Sequence, residues 1–167
     1  WFTGLSGAGK TTVSNKVKKL INDKGYSTLI LDGDIIRKKN HPSLSFSNKD
    51  IKNNNKLILD LCLKERQSYD FIFVTIISPF KSSRKLAREK SMPGFYEVFC
   101  NADIKELIKR DTKGLYLKAI NGEIDDLIGF SPKAVYEPPN NPDIILNSSK
   151  DSIEQSVEKL FNFAINT

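Results

Sequence analysis

Residues 4–12 read Gly4-Leu5-Ser6-Gly7-Ala8-Gly9-Lys10-Thr11-Thr12, a complete G-x-x-x-x-G-K-[ST] phosphate-binding loop. The glycines let backbone N–H groups turn toward a triphosphate. Lys10 is placed to reach the β- and γ-phosphates, and the Thr11 hydroxyl to ligate Mg²⁺. Gly4, Ser6, Gly7, Ala8, Gly9, Lys10, Thr11 and Thr12 are therefore the expected ATP contacts. The flanks fit the motif. Trp1-Phe2-Thr3 reads as the end of a buried strand, and Val13, Val17, Leu20 and Ile21 recur at helical spacing. A helix starting behind the loop adds its own attraction for anions.

Outward from the loop, strand-like and helical runs alternate. Thr28–Asp32 is apolar and ends in acid. Phe71–Ile77 is a continuous β-branched and aromatic run, and Phe95–Cys100 and Asp143–Asn147 are further strands. Residues 48–67 carry Ile51, Ile58, Leu61 and Cys62 on one helical face. The tail places Asp151 with Glu154 as a capping box, followed by a stripe of Ile153, Val157, Leu160, Phe161 and Ile165. This alternation predicts an α/β fold, with a parallel sheet of about five strands and helices on both faces. Ligands then bind beyond the carboxyl ends of the strands.

At 167 residues the chain is expected to be a single domain, residues 1–167, with the first strand at its very start. No apolar run is long enough for a bilayer and no signal peptide is visible, so no membrane role is expected. Cys62 and Cys100 stand apart without a C-x-x-C pairing, which suits a reduced, cytoplasmic protein. The net charge of +6 suits an anionic ligand. Its lysines are spread along helical stretches rather than massed with aromatics, which argues against nucleic acid. His41 is the single histidine, so a multi-histidine metal site is excluded.

Three further segments carry chemistry. Leu31-Asp32-Gly33-Asp34-Ile35-Ile36-Arg37 sets two carboxylates at a strand end beside the phosphate loop. That suits phosphoryl transfer, with Asp32 holding Mg²⁺ through water and Asp34 accepting a proton from an attacking hydroxyl. A helix starting at Asp34 puts Arg37 on the same face, ready to grip an anionic acceptor. A turn with a helix cap is the competing reading of the same residues. Ile77-Ser78-Pro79-Phe80-Lys81 leads into Arg84 and Arg88 at helical spacing, and Arg88 reads as part of a solvated basic face. Arg110-Asp111-Thr112-Lys113-Gly114-Leu115-Tyr116 pairs basic residues with a glycine hinge. It reads as part of a lid at about residues 110–135, or equally as a helix–turn–helix.

Together these segments resemble the adenylyl-sulfate kinases over nearly the whole chain. The resemblance runs through Trp1–Gly7, Leu31–Asp34 with Arg37, Phe46-Ser47, Asp50 with Asn54, and Ile77–Phe80. It continues through Phe95, Glu97–Phe99, Arg110-Asp111, Lys113–Tyr116, Gly122–Ile124 and Tyr136–Pro139. It implies a P-loop nucleotide kinase fold with a small lid. It also implies transfer of the ATP γ-phosphate to a ribose 3′-hydroxyl, a phosphotransferase reaction with an alcohol acceptor. Lys10, Asp34 and Arg37 are then catalytic, and Arg110 joins the ATP contacts. Asp34, Arg37, Phe46, Ile51, Asn54, Ile77, Ser78, Lys113 and Leu127 surround a small nucleotide acceptor. The family's members are often dimers, which leaves a homodimer open.

The departures fall on the acceptor side. The family has arginine where Ile51 stands, and a stacking phenylalanine where Leu127 stands. Arginine at a bidentate anion contact is not replaced conservatively by isoleucine. The expectation is therefore a changed acceptor, cytidine diphosphoramidate, for capsule polysaccharide modification. The first alternative is an adenylyl-sulfate kinase of sulfate assimilation, with Lys52, Lys56 and Phe130 covering the losses. The second is a non-catalytic nucleotide-binding regulator.

Overall fold

The computed structural model describes residues 1–40 and 47–167. His41 and Phe46 lie outside the described residues. In chain order the elements are β1 (Phe2–Thr3), α1 (Lys10–Asp23), β2 (Thr28–Asp32), α2 (Gly33–Asn40), α3 (Asn48–Glu65) and β3 (Phe71–Thr75). They continue with α4 (Lys81–Ser91), β4 (Val98–Asn101), α5 (Ile104–Arg110), α6 (Leu115–Ile120), β5 (Ile144–Asn147) and α7 (Ile153–Ile165).

All strand pairs are parallel. β1, β4 and β5 form one ladder, with Phe2 opposite Val98 and Val98 opposite Ile144. β2 and β3 form another, with Thr28 opposite Phe71 and Asp32 opposite Thr75. The ladders adjoin where Gly4 N–H donates to the Ile77 carbonyl at 3.2 Å and the Phe2 and Phe73 rings meet edge to face at 6.0 Å. The strands thus lie side by side as β2-β3-β1-β4-β5, and every loop that carries chemistry leaves the same carboxyl edge.

One face of the sheet packs on α1 and α7 through Phe2, Val17, Ile21, Leu146 and Leu160, all fully buried. The other packs on α3 and α4 through Leu31, Ile58, Val74 and Ala87. Gly4 is required where the chain leaves β1. Its φ is +146°, and a Cβ there would meet the Cys100 carbonyl oxygen at 2.5 Å, closer than atoms approach without moving backbone.

Several boundaries differ from the sequence expectation. Strand pairing stops at Thr75, because Ile76 and Ile77 swing toward a turn at Ser78, whose φ is +45°. β4 begins at Val98 rather than Phe95. The cap of α7 is Ser152 with Gln155, both arms of the capping box being made, one residue later than Asp151 with Glu154. Asp151 instead accepts from the Asn147 amide at 3.3 Å. Arg88 remains partly exposed but is not free in solvent: it pairs with Asp143 at 2.5 Å and lies over the Phe95 ring at 4.9 Å. Among the described residues no helix is long and apolar enough to cross a membrane.

Candidate active site

Lys10 opens α1 directly behind Gly9, a left-handed residue with φ +88°. Lys10 is 9% exposed, and its ammonium donates to the carbonyls of Gly4 and Leu5, both at 2.7 Å. Burial pushes its pKa down from 10.5 to about 8, with Lys113 adding to the fall and Cys100, Asp34 and Asp32 opposing it. The cation is thus held ready inside the loop at a cost in hydration. A bound triphosphate favours the charged form and raises this pKa again. Nucleotide binding should therefore take up close to one proton near pH 8.5 to 9 and almost none near pH 6.5. Calorimetric titrations in buffers of different ionisation enthalpy measure that number directly; no uptake at the higher pH would contradict the burial argument.

Asp32 ends β2 and joins the two halves of the site. Its Oδ2 accepts from Thr11 Oγ1 at 2.9 Å and from Thr75 Oγ1 at 3.1 Å. Its Oδ1 accepts from the amides of Asp34 at 3.0 Å and Ile35 at 3.3 Å. The carboxylate therefore caps α2 and fixes the Thr11 hydroxyl at once, so the helix-cap and the functional readings of this turn are compatible. Its lone pairs are largely committed, which suits a contact to a cation through water rather than direct ligation. Among the described residues no group of three or more His, Cys, Asp or Glu side chains is arranged to hold a metal ion. The Thr11 hydroxyl, fixed by Asp32, is the side-chain oxygen of the phosphate loop placed where a cation could be held.

Asp34 stands in the first turn of α2, and its carboxylate pairs with Lys113 Nζ at 2.5 Å. Both side chains are exposed. Arg37 follows one turn later on α2 and is half-buried. Lys113 sits in the short link between α5 and α6. Asp111 orders that link by accepting from the amides of Tyr116 at 3.0 Å and Leu117 at 2.9 Å. The segment is a helix–turn–helix, with α5 and α6 either side of the link. Arg110 closes α5 and donates to the Ser148 carbonyl at 2.7 Å.

The acceptor-side residues divide into two groups. Ser78 is buried, and its Oγ accepts from Trp1 Nε1 at 3.0 Å, with Asn55 Nδ2 at 3.5 Å. Its carbonyl accepts from Arg84 Nη1 at 2.7 Å, and Thr3 Oγ1 lies 3.1 Å away. Arg84 is buried as well. Its other nitrogens reach Glu97 at 2.6 Å and the Glu137 carbonyl at 2.7 Å. A left-handed serine costs about 1–3 kcal/mol, and these contacts hold it in place. Asn54 is 8% exposed, and among the described residues its Oδ1 has no hydrogen-bond partner. Ile77 presents its carbonyl to Gly4 and Thr3.

Ile51 and Leu127 are placed differently. Ile51 packs with Phe80, Ile128 and Ala134 in a small buried cluster. Leu127 belongs to the main core beside Phe2 and Tyr116. Lys52 directs its ammonium over the Phe80 ring at 5.2 Å, and Phe130 meets Tyr116 edge to face at 5.9 Å. Burial pushes the Cys100 thiol up to about 12 and raises that of Cys62, so neither is an activated nucleophile. A cavity of about 530 Å³ opens at the amino end of the sheet, among Trp1, Cys62, Phe71, Phe95 and Leu160. None of the expected site residues lines it.

The sequence gives Thr75 no expected role, Tyr116 only its place in the lid segment, and Arg84 only its helical spacing from Lys81 and Arg88. A hydroxyl at the end of a buried strand, and a tyrosine in an apolar helix, were the available signals.

Known proteins give the same picture. The family model for adenylylsulphate kinase matches residues 1–147. The chain is 40% identical over 163 residues to an adenylyl-sulfate kinase of Halothermothrix orenii, covering 98% of this chain and 86% of that one. It is 41% identical over 158 residues to a probable adenylyl-sulfate kinase of Pyrococcus abyssi, covering 95% and 89%. Its fold superposes on the Mycobacterium tuberculosis APS kinase solved in complex with AMPPNP and APS, with a TM-score of 0.92 and 34% identity, covering 100% and 96%.

These likenesses correct the expectation of a cytidine diphosphoramidate acceptor. The similar proteins are adenylyl-sulfate kinases, and none of these findings favours a cytidine acceptor. The physical reason lies in the two substitutions that suggested the change. Ile51 and Leu127 are both taken up in apolar packing, Ile51 against the segment that carries Ile128. They report how that segment docks, and do not describe a new base pocket.

Proposed function

The chain belongs to the adenylylsulphate kinase family and is a phosphotransferase with an alcohol acceptor, and on that premise we propose that it moves the γ-phosphate of ATP to the ribose 3′-hydroxyl of adenylyl sulfate. One observation carries the reading to this chain's own residues. A single carboxylate, Asp32, bonds both Thr11 of the phosphate loop and the α2 turn that bears Asp34. Donor and acceptor machinery are thereby held in one frame.

In this mechanism the amides of residues 7–12 cradle the phosphates, and Lys10 neutralises charge on the group in transfer. Asp34 orients the 3′-hydroxyl and takes its proton late. Arg37 and Lys113 supply positive charge beside Asp34 for the acceptor's phosphate–sulfate group. Thr11 Oγ1 would hold Mg²⁺, with Asp32 orienting that hydroxyl, and the ion would supply charge neutralisation of the phosphates. Arg110 borders the donor nucleotide. The orphaned Oδ1 of Asn54 supports an acceptor contact, because a buried acceptor without a partner costs about 1–3 kcal/mol. Ser78 acts by shaping the turn between Thr3 and Arg84. Positioning and electrostatics supply most of the rate.

The same proposal covers residues 1–167 as one kinase domain with a lid at about 110–135, a cytoplasmic setting suited to the free thiols Cys62 and Cys100, and a homodimer, which light scattering in solution would test. The substrate assignment is tested by incubating the protein with Mg-ATP and adenylyl sulfate and identifying products by mass spectrometry. A product heavier than adenylyl sulfate by one phosphoryl group, formed with equimolar ADP, is expected. Unaltered adenylyl sulfate after prolonged incubation would contradict the assignment.

A further inference from the structure

The phosphate loop is held from outside by a residue the reaction itself does not call for. Tyr116 in α6 is 2% exposed, and its hydroxyl donates to the Ser6 carbonyl at 3.0 Å. The peptide between Ser6 and Gly7 is trans; among the described residues only Met92–Pro93 is cis. In a trans peptide the C=O and N–H point to opposite sides. Fixing the Ser6 carbonyl outward on Tyr116 therefore turns the Gly7 N–H inward. The neighbouring carbonyls do the reverse: those of Gly4 and Leu5 face inward, onto Lys10 Nζ. The hydrogen bond to Tyr116 marks the point where the loop changes from presenting acceptors to its lysine to presenting donors to an anion.

The rest of the wall supports this. A Cβ on Gly7 would stand 3.6 Å from Leu107 and 3.7 Å from Thr112, so the loop's back rests on α5 and its link. Gly129, with φ +77°, approaches Leu5 so closely that a Cβ there would lie 2.3 Å from its Cδ2. The Tyr116 ring also contacts Phe130. Burial, with Asp111 nearby, pushes the Tyr116 hydroxyl up to about 12, so it remains a donor throughout the working range.

We propose that Tyr116 is a positioning residue for ATP, setting the orientation of the Ser6–Gly7 peptide so that Gly7 N–H faces the phosphates. The inference rests on the reading of residues 4–12 as the ATP cradle and is independent of the acceptor. Its test accordingly uses no acceptor. Binding of Mg²⁺ with a non-hydrolysable ATP analogue is measured by calorimetry for the wild type and Tyr116→Phe, which keeps the ring. An increase in Kd of about 3- to 10-fold is expected, the usual worth of one hydrogen bond. In ¹⁵N-labelled protein without nucleotide, the Gly7 amide resonance should move in the variant while those of α7 stay in place. An unchanged Kd with an unmoved Gly7 resonance would overturn the proposal. If the wild type binds no analogue, the ATP reading fails and the proposal with it. Should Tyr116→Phe not fold, 3-fluorotyrosine installed at position 116 keeps the hydroxyl and the fold. Its ¹⁹F resonance should shift on binding the analogue, and a stationary resonance would overturn the proposal.

Discussion

Replacing Asp34 by asparagine should lower kcat by about 10²- to 10⁴-fold, the range expected when a positioned general base is removed, with little change in the KM for ATP. The geometry gives the reason for both halves of that result. Asp34 extends from the first turn of α2, and its backbone amide is fixed by Asp32 Oδ1 at 3.0 Å. An asparagine keeps that amide, the helix and the Asp32–Thr11 bond. What it loses is the charge opposite Lys113 and the capacity to take a proton. The phosphate loop is bonded to Asp34 through Asp32, and the Asp34 charge acts on Lys10 as a smaller influence than burial, so ATP binding should change little. Steady-state kinetics with each substrate varied in turn give the answer. An unchanged kcat would remove Asp34 from the chemistry and leave it as a surface partner of Lys113.

Lys10→Met is expected to cost about 10²- to 10³-fold in kcat/KM, as for other preorganised charges aimed at a reacting group, without lowering stability. The two effects have one origin. Burial pushes the pKa of Lys10 down to about 8, so the folded state disfavours the charged form relative to the unfolded chain. With the folded value below the unfolded 10.5, the penalty is fully present below about pH 8. It is relieved as pH rises between about 8 and 10.5. At neutral pH a methionine of similar length removes that penalty, while the carbonyls of Gly4 and Leu5 lose a donor. These terms oppose one another, so the melting temperature should hold or rise while activity collapses. A variant that melts well below the wild type at pH 7 would show that bracing the loop outweighs desolvation.

Much of this arrangement was legible in the sequence, because the phosphate loop is local. Residues 4–12 carry the glycines, lysine and threonine within one turn and the start of one helix, and Thr28–Asp32 forms a strand with the bounds its apolar run suggests. What local pattern did not carry was set by partners distant in the chain. Arg84 and Arg88 sit on a basic stretch of α4, yet Glu97 from a separate segment holds Arg84 out of solvent and Asp143 pairs with the partly exposed Arg88. Phe71–Ile77 is β-branched and aromatic throughout, but the turn at Ser78, held by Thr3 and Arg84, ends the strand at Thr75.

The acceptor side was the hardest to read for the same reason. Ile51 in place of an arginine looks like a lost anion contact when taken alone. It is matched by Ile128, Phe80 and Ala134, brought together only by folding. A substitution matched by distant residues within one apolar cluster reads in one dimension as a change of specificity. Tyr116 shows the converse: its hydroxyl meets Ser6 across 110 residues of sequence, and nothing in α6 alone distinguishes it from a core tyrosine.

The central claim is that this site phosphorylates adenylyl sulfate at the expense of ATP, with Asp34 as the group that activates the hydroxyl. The most direct measurement is ADP release with Mg-ATP, with and without adenylyl sulfate, for the wild type and Asp34→Asn side by side. The account predicts release that depends on adenylyl sulfate in the wild type and is lost in the variant. Release indifferent to adenylyl sulfate, or equal in the two proteins, would contradict it.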